Sequence, residues 1–257
     1  MDEQRSTADP ERWIQRTIVF LLATEVVILV LDVIFNYLAV VDDAGIQELF
    51  NVARELSLGN WFSSIQTAGV GLVLWLIYLK IREEPDAKGR ARGFAVLALL
   101  FFYIGMDDGT QMHERVSTAV ADYFALTAES EAIHTGPAGW IGSLLDRFPS
   151  YAWQVLFGPV FAAFGLFMVV FLWRQMGRKQ ALLAFFGLFL YGIAQGQDFI
   201  EGLETPYQWL TARLGTEPYT VPHFGKMGEE YLEMLGTTFL LWAALKHYKG
   251  TFSKPRF

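Results

Sequence analysis

The sequence predicts an all-α fold, a polytopic bundle of six transmembrane helices with both termini in the cytoplasm. Three observations carry that prediction. The composition is 53% hydrophobic and 16% aromatic with only 18% charged residues, too apolar for an ordinary soluble domain of 257 residues. Six stretches approach the length of about 20 residues that crosses a hydrocarbon core of about 30 Å. The basic residues then fall on one side of those spans.

The spans are expected at 15–41, 61–81, 93–115, 152–174, 181–202 and 228–246, in a single transmembrane domain covering 1–257. The charged start has no small-residue cleavage site, so the first span is expected to stay in place. Six crossings put both ends and the second and fourth connections together, and that side holds 15 of the 20 Lys and Arg residues. By the positive-inside rule it is cytoplasmic, which points to the inner membrane of a prokaryote with the longer connections, 42–60, 116–151 and 203–227, outside. Long connections carry function more often than short ones, so the outer face is searched first.

Several classes fall on composition alone. A chain without cysteine has no disulfide scaffold and no thiolate ligand or nucleophile. A net charge of −7 supplies no phosphate-seeking excess of Lys and Arg, so nucleic acid is not an expected partner.

The informative residues are acids inside the spans: Glu25, Asp32, Asp107, Asp108, Glu114, Asp198, Glu201, Glu229, Glu230 and Glu233. Each costs about 2.5–3.5 kcal/mol near the bilayer centre on the mildest scale, whereas the basic residues within the same limits, Arg16, Lys80, Arg115, Arg174 and Lys246, all stand at span ends. Something has to neutralise them.

Helical spacing groups them. Glu25, Asp32 and Asn36 share a face of the first span; Asp107, Gln111 and Glu114 share one on the third, with Tyr103 a turn below. Asp198 and Glu201 are paired on the fifth, near Tyr191 and Gln195, and Glu230, Glu233 and Thr237 form a stripe on the sixth. At about 1.5 Å per residue these groups, with Gln66 of the second span, reach one layer in the outer half of the bilayer.

Carboxylates from facing helices with a histidine beside one of them are the ingredients of a metal centre, as in dinuclear bundle sites. The match is partial: the spacings are Asp-x-x-Glu and Glu-x-x-Glu, and His113 sits about 100° round the helix from the Asp107 face. The candidate ligands are Asp32, Asp107, His113, Glu114, Asp198, Glu201, Glu230 and Glu233, and the cofactor is a divalent metal: Fe, Mn, Zn, Mg or Ca.

The alternative for each acid is a hydrogen-bonded polar core, with Glu25 a protonated structural acid. Asp108 and Glu229 are expected to turn away, toward solvent or toward Arg115 or Lys226. His134 and His223 are expected to be exposed loop residues, and Trp61, Trp140 and Trp153 to mark interfacial belts. Gly69 and Gly71 are expected to permit close helix approach.

The run Gly105-Met-Asp-Asp-Gly-Thr-Gln-Met-His-Glu114, with Glu229-Glu230-Tyr-Leu-Glu-Met-Leu-Gly236, resembles a pattern of uncharacterised prokaryotic multispan proteins: an acidic pair, four residues, His-Glu, then a late Glu-Glu helix. It covers two of the six helices and implies that these acids belong together, without implying an activity.

Three functional classes follow. The first is a membrane metalloenzyme, an oxidoreductase or hydrolase, with the outer loops as lids and a lipid, quinone or isoprenoid as apolar substrate. The second is a proton or cation transporter or channel. The third is a non-catalytic, pigment- or haem-binding subunit of a larger membrane complex.

Overall fold

The computed structural model describes residues 9–128, 137–148, 150–203 and 205–252. His134, expected as an exposed loop residue, lies outside them. The described residues are predominantly helical, and none of them forms a strand. In chain order the helices are α1 (Pro10–Leu31), α2 (Ala44–Phe50), α3 (Leu58–Ile81), α4 (Lys88–Thr110), α5 (Met112–Ala128), α6 (Pro137–Arg147), α7 (Ala152–Leu156), α8 (Gly158–Gln175), α9 (Arg178–Gly202), α10 (Thr205–Leu214) and α11 (Thr220–Phe252).

Local chemistry fixes the ends. Pro10 opens α1, and the Asp9 carboxylate accepts the backbone N–H of Glu11 at 3.0 Å. Asp43 caps α2 through Ile46 N, and Ser57 caps α3 through Asn60 N. α1 runs directly into a π-helical turn, Asp32–Tyr37, in which Leu38 N reaches back five residues to Val33 O.

Five helical segments are long and apolar enough to cross a membrane: Pro10–Tyr37, Leu58–Ile81, Lys88–Thr110, Gly158–Gln175 and Arg178–Gly202. They suggest integration in a bilayer, and Val19, Phe20 and Val27 of α1 with Phe185 and Phe189 of α9 give them exposed apolar faces suited to lipid. The sixth expected span falls inside α11, whose 33 residues suffice in length but whose first half carries Lys226, Glu229, Glu230 and Glu233.

Several expected boundaries move. The third span does not run to 115: α4 stops at Thr110 because Gln111 adopts the left-handed conformation at φ 51°, and α5 starts in a new direction. The fourth is preceded by the separate short helix α7. Among the described residues, the connections expected outside, 116–151 and 203–227, are largely helical, containing most of α5, α6, α10 and the opening of α11.

α11 is the central element. It packs along α9 and across α3 and α1, while α3 pairs with α4 along its length. The α9–α11 contact is close because two glycines face each other. A Cβ at Gly187 would lie 2.6 Å from the Gly236 carbonyl, and one at Gly236 2.9 Å from that of Gly187, so neither position admits a side chain without separating the helices.

The core sits toward the basic end of the bundle, where the starts of α1 and α9 and the far end of α11 meet the α3–α4 turn through Ile14, Ala181, Leu245, Ile81 and Ala87. Ile14, Ile77, Phe94, Leu97, Ala184, Leu241 and Ala244 are buried there in one apolar cluster. Lys246 and Lys249 close that end on Glu11 at 3.0 and 2.9 Å. The other end, where α4 and α9 finish and α11 begins, is polar. A small cluster of Ile28, Val52 and Met234 is its main apolar support.

Candidate functional site

The polar end is built on three helix termini, and its acids separate into four arrangements. The deepest is Glu25 of α1, fully buried. Its Oε1 accepts from Gln66 Nε2 of α3 at 2.8 Å and from Thr238 Oγ1 of α11 at 2.5 Å. Its contacts are neutral donors, so Glu25 stitches α1, α3 and α11 together apart from the other acids.

Asp32 is also fully buried, and both its oxygens are engaged. Oδ2 accepts Val52 N at 2.7 Å and Asn36 Nδ2 at 3.4 Å, and Oδ1 lies 2.9 Å from His223 Nε2, off the ring N–H axis. His223 Nδ1 in turn meets the Tyr219 hydroxyl at 3.2 Å, and Tyr37 stacks on the imidazole. His223 is therefore not the exposed loop residue expected from the sequence. It is 4% exposed on the first turn of α11, because that helix begins at Thr220. Asp32, placed in the common layer by the sequence, ties the α2–α3 connection and the opening of α11 to the end of α1.

The third arrangement depends on the break at Gln111. On a continuous helix Asp107 would align with Glu114 and miss His113; with the helix broken at the left-handed residue, Asp107 holds His113 twice. Its Oδ1 accepts the His113 backbone N–H at 2.9 Å, capping α5, and its Oδ2 meets His113 Nδ1 at 2.5 Å. The imidazole edges against Trp153 at 4.9 Å. Nε2, the nitrogen Asp107 leaves free, faces Glu114 Oε1 at 4.0 Å, and Glu114 also accepts from Gln111. Burial alone would lower the His113 pKa; the bond and charge of Asp107, with Glu114 and Asp198, outweigh it and raise the value. Asp108, expected to turn away, is half-buried and accepts from Ser64 Oγ of α3 at 3.2 Å.

The fourth arrangement is the densest in charge. Asp198 and Glu201 close α9, Glu229 and Glu230 lie near the start of α11, and a ligand oxygen from each of Asp198, Glu201 and Glu229 falls within 4.8 Å of the others. Glu229, expected to face solvent or to pair with Arg115 or Lys226, does meet Lys226, and at 3% exposure it is also one of this triad. Gln154 Nε2 of α7 donates to Asp198 Oδ2 at 2.9 Å. Glu201 Oε2 and Glu229 Oε2 are buried without a hydrogen-bond partner among the described residues. Glu233, a turn further along α11, accepts weakly from Gln195 at 3.3 Å, while its carbonyl receives the Thr237 hydroxyl, which also meets Tyr191.

A cation already stands here. Lys226 Nζ lies 2.8 Å from Glu229 Oε1, 3.8 Å from Glu230 Oε1 and 3.9 Å from Asp198 Oδ1. Taken from the sequence as part of an outer connection, it is instead on α11, three and four residues before Glu229 and Glu230. One ammonium facing Asp198, Glu201, Glu229 and Glu230 leaves three negative charges in excess when all four are ionised.

The surroundings register that excess. Tyr151, at the rim, is pushed up to about 12 by burial and by the charges of Glu201 and Asp198, and Tyr207 is raised by burial, Glu201 and Glu229. Glu55, on the irregular α2–α3 connection, is pushed up to about 7 by burial and by Glu114 and Asp108, against the opposing pull of Lys226 and Arg115. Sequence periodicity had no means of finding Glu55, since it lies on no regular helix beside Leu56 at φ 63°.

Residues 18–248 match the family described as Domain of unknown function (DUF8692), and the chain belongs to that family. No curated protein and no solved structure matches it.

Proposed function

We propose that the protein is a six-span membrane metalloenzyme that holds a divalent ion on Asp198, Glu201 and Glu229 and acts on an apolar substrate arriving from the bilayer. α11 is the sixth crossing, the chain forms one transmembrane domain, and the basic end faces the cytoplasm, in keeping with the bias of Lys and Arg.

The observation that carries the reading is the triad itself: three carboxylates from two helices within 4.8 Å, two of them with a buried oxygen lacking a partner among the described residues. Buried charges of one sign demand compensation, and a hard divalent ion supplies it with oxygen ligands. The donor set favours Mn, Mg, Ca or ferrous iron; His113 Nε2, oriented by Asp107 as metal-binding imidazoles commonly are, would add a nitrogen suited to Fe or Zn. Glu114, Glu230 and Glu233 complete the acidic wall, and Asp32 serves instead to hold α11 in place.

When bound, such an ion polarises a substrate oxygen or lowers the pKa of its water. The chain's own residues orient and move protons around it. Gln154 fixes Asp198, Asp107 fixes His113, and Glu55, near 7, can hold or release a proton at neutral pH. Chemistry is favoured over passage across the membrane because the basic half of the bundle is filled by Ile77, Phe94, Leu97 and their neighbours, and the buried ionic residues among the described ones, Glu25, Asp32, Asp107, Asp198, His223 and Glu229, all lie outside that half.

Elemental mass spectrometry of protein purified without chelators tests the proposal. One divalent ion per chain is expected in the wild type, with a loss of at least tenfold in Glu229→Gln and in Asp198→Asn. Absence of stoichiometric metal from folded wild type would remove it.

A further inference from the structure

We infer that Lys226 is a tethered counter-ion that occupies the ion's place in the metal-free protein and has to swing out before a divalent ion can bind. The inference rests on the metal-site reading and describes how that site is regulated.

Two of the three triad members are partners of the ammonium. Nζ is 2.8 Å from Glu229 and 3.9 Å from Asp198, and Glu230 completes its cage at 3.8 Å. An ion bound to the same carboxylates sits at about 2.0–2.6 Å from their oxygens, which places it against the ammonium. Two positive centres at such separation in a half-buried site repel strongly, so the occupants exclude each other. The two oxygens of Glu229 already differ in role: Oε1 is taken by Lys226, and Oε2 has no partner among the described residues.

Lysine suits this task. A four-carbon stem lets the charge leave without moving the helix, and a point-like ammonium has no bidentate grip on a carboxylate. The Lys226 side chain is 25% exposed against 4% for Glu229, so the ammonium has a way out while the carboxylate stays. An acidic site therefore folds without its ion, and its affinity is set below what three carboxylates alone would give.

The test titrates Mn²⁺ calorimetrically into the full chain in detergent, stripped of metal beforehand, as wild type, Lys226→Met and Lys226→Arg, with Glu229→Gln as the triad control. Lys226→Met keeps the length and removes the charge, so its Kd is expected to fall at least tenfold; Lys226→Arg, which can grip a carboxylate twice, is expected to weaken binding. Thermal unfolding supplies a second reading: without Mn²⁺ the Met variant melts below wild type, and Mn²⁺ raises its midpoint more. Should Met fail to fold, Lys226→Gln takes its place. Equal Mn²⁺ affinity in wild type and Met variant, abolished in both by Glu229→Gln, overturns the inference and leaves the metal reading standing. No Mn²⁺ binding by any folded form overturns the metal reading first, and the inference with it.

Discussion

The two ends of the bundle solve opposite problems. At the basic end the interior is apolar, Phe94 and Leu97 are fully buried, and the charges lie outside it in pairs such as Lys246 with Glu11. At the acidic end charge is inside: Asp198, Glu229 and Asp107 are buried, and each is held by a specific donor. The difference teaches that the first end supplies packing and the second is arranged for chemistry, because no gain in packing explains four carboxylates around one lysine. Substitutions should therefore separate stability from ion binding according to the end they touch.

The largest effect on stability is expected at the basic end. Phe94→Ala removes a fully buried ring that meets Phe171 edge-on and His247 face-on, and should lower unfolding free energy by about 3–5 kcal/mol while the folded fraction keeps its metal. Thermal unfolding in detergent paired with metal analysis would check both halves of that statement. Gly187→Val should act similarly by pushing α9 from α11, at a cost of about 1–3 kcal/mol.

Glu25 lies between the two regimes. Glu25→Ala takes the acceptor from the Thr238 hydroxyl and leaves the Gln66 amide with Thr238 alone, an expected loss of about 1–3 kcal/mol, whereas Glu25→Gln keeps an acceptor and should cost less than half as much. Equal losses would mean that Glu25 carries a charge that the bundle needs.

How much of this was legible in the sequence follows from the physics of each signal. Apolar runs such as Val26–Leu31 announce a membrane helix locally, so the five qualifying helices could be found without coordinates. The acids on α9 and α11 were legible too, since regular helices preserve spacing. His113 was misplaced because a single left-handed residue, Gln111, changes the direction of every side chain after it. Lys226 and His223 were assigned to a connection although Pro222 two residues after Thr220, and the i, i+3, i+4 spacing of Lys226, Glu229 and Glu230, both signal an earlier helix start. Asp32 was placed by periodicity in a layer of ligands; its partners Val52 and His223 are distant in sequence, so nothing local could reveal them.

Smaller effects sharpen the comparison at the acidic end. Asp107→Ala removes the cap of α5 and should cost about 1 kcal/mol, seen as faster hydrogen exchange at the start of that helix and not in α9. The smallest is a matter of pH. Glu55 is raised in the folded protein from 4.5 to about 7, so its protonated form is the one the fold prefers. That stabilisation is complete below the unfolded value and is lost as pH rises through about 7. Glu55→Gln should flatten the metal-free stability profile between those two values, and an unchanged slope would detach Glu55 from the acidic cluster.

The central claim is that carboxylates of α9 and α11 meet around one divalent ion. Anomalous diffraction from crystals grown with Mn²⁺ tests it most directly. The account predicts a peak at about 2.0–2.6 Å from oxygens of Asp198, Glu201 and Glu229, with Lys226 turned away. A Lys226 ammonium still seated between Glu229 and Asp198 under saturating Mn²⁺, and no peak beside it, would contradict it.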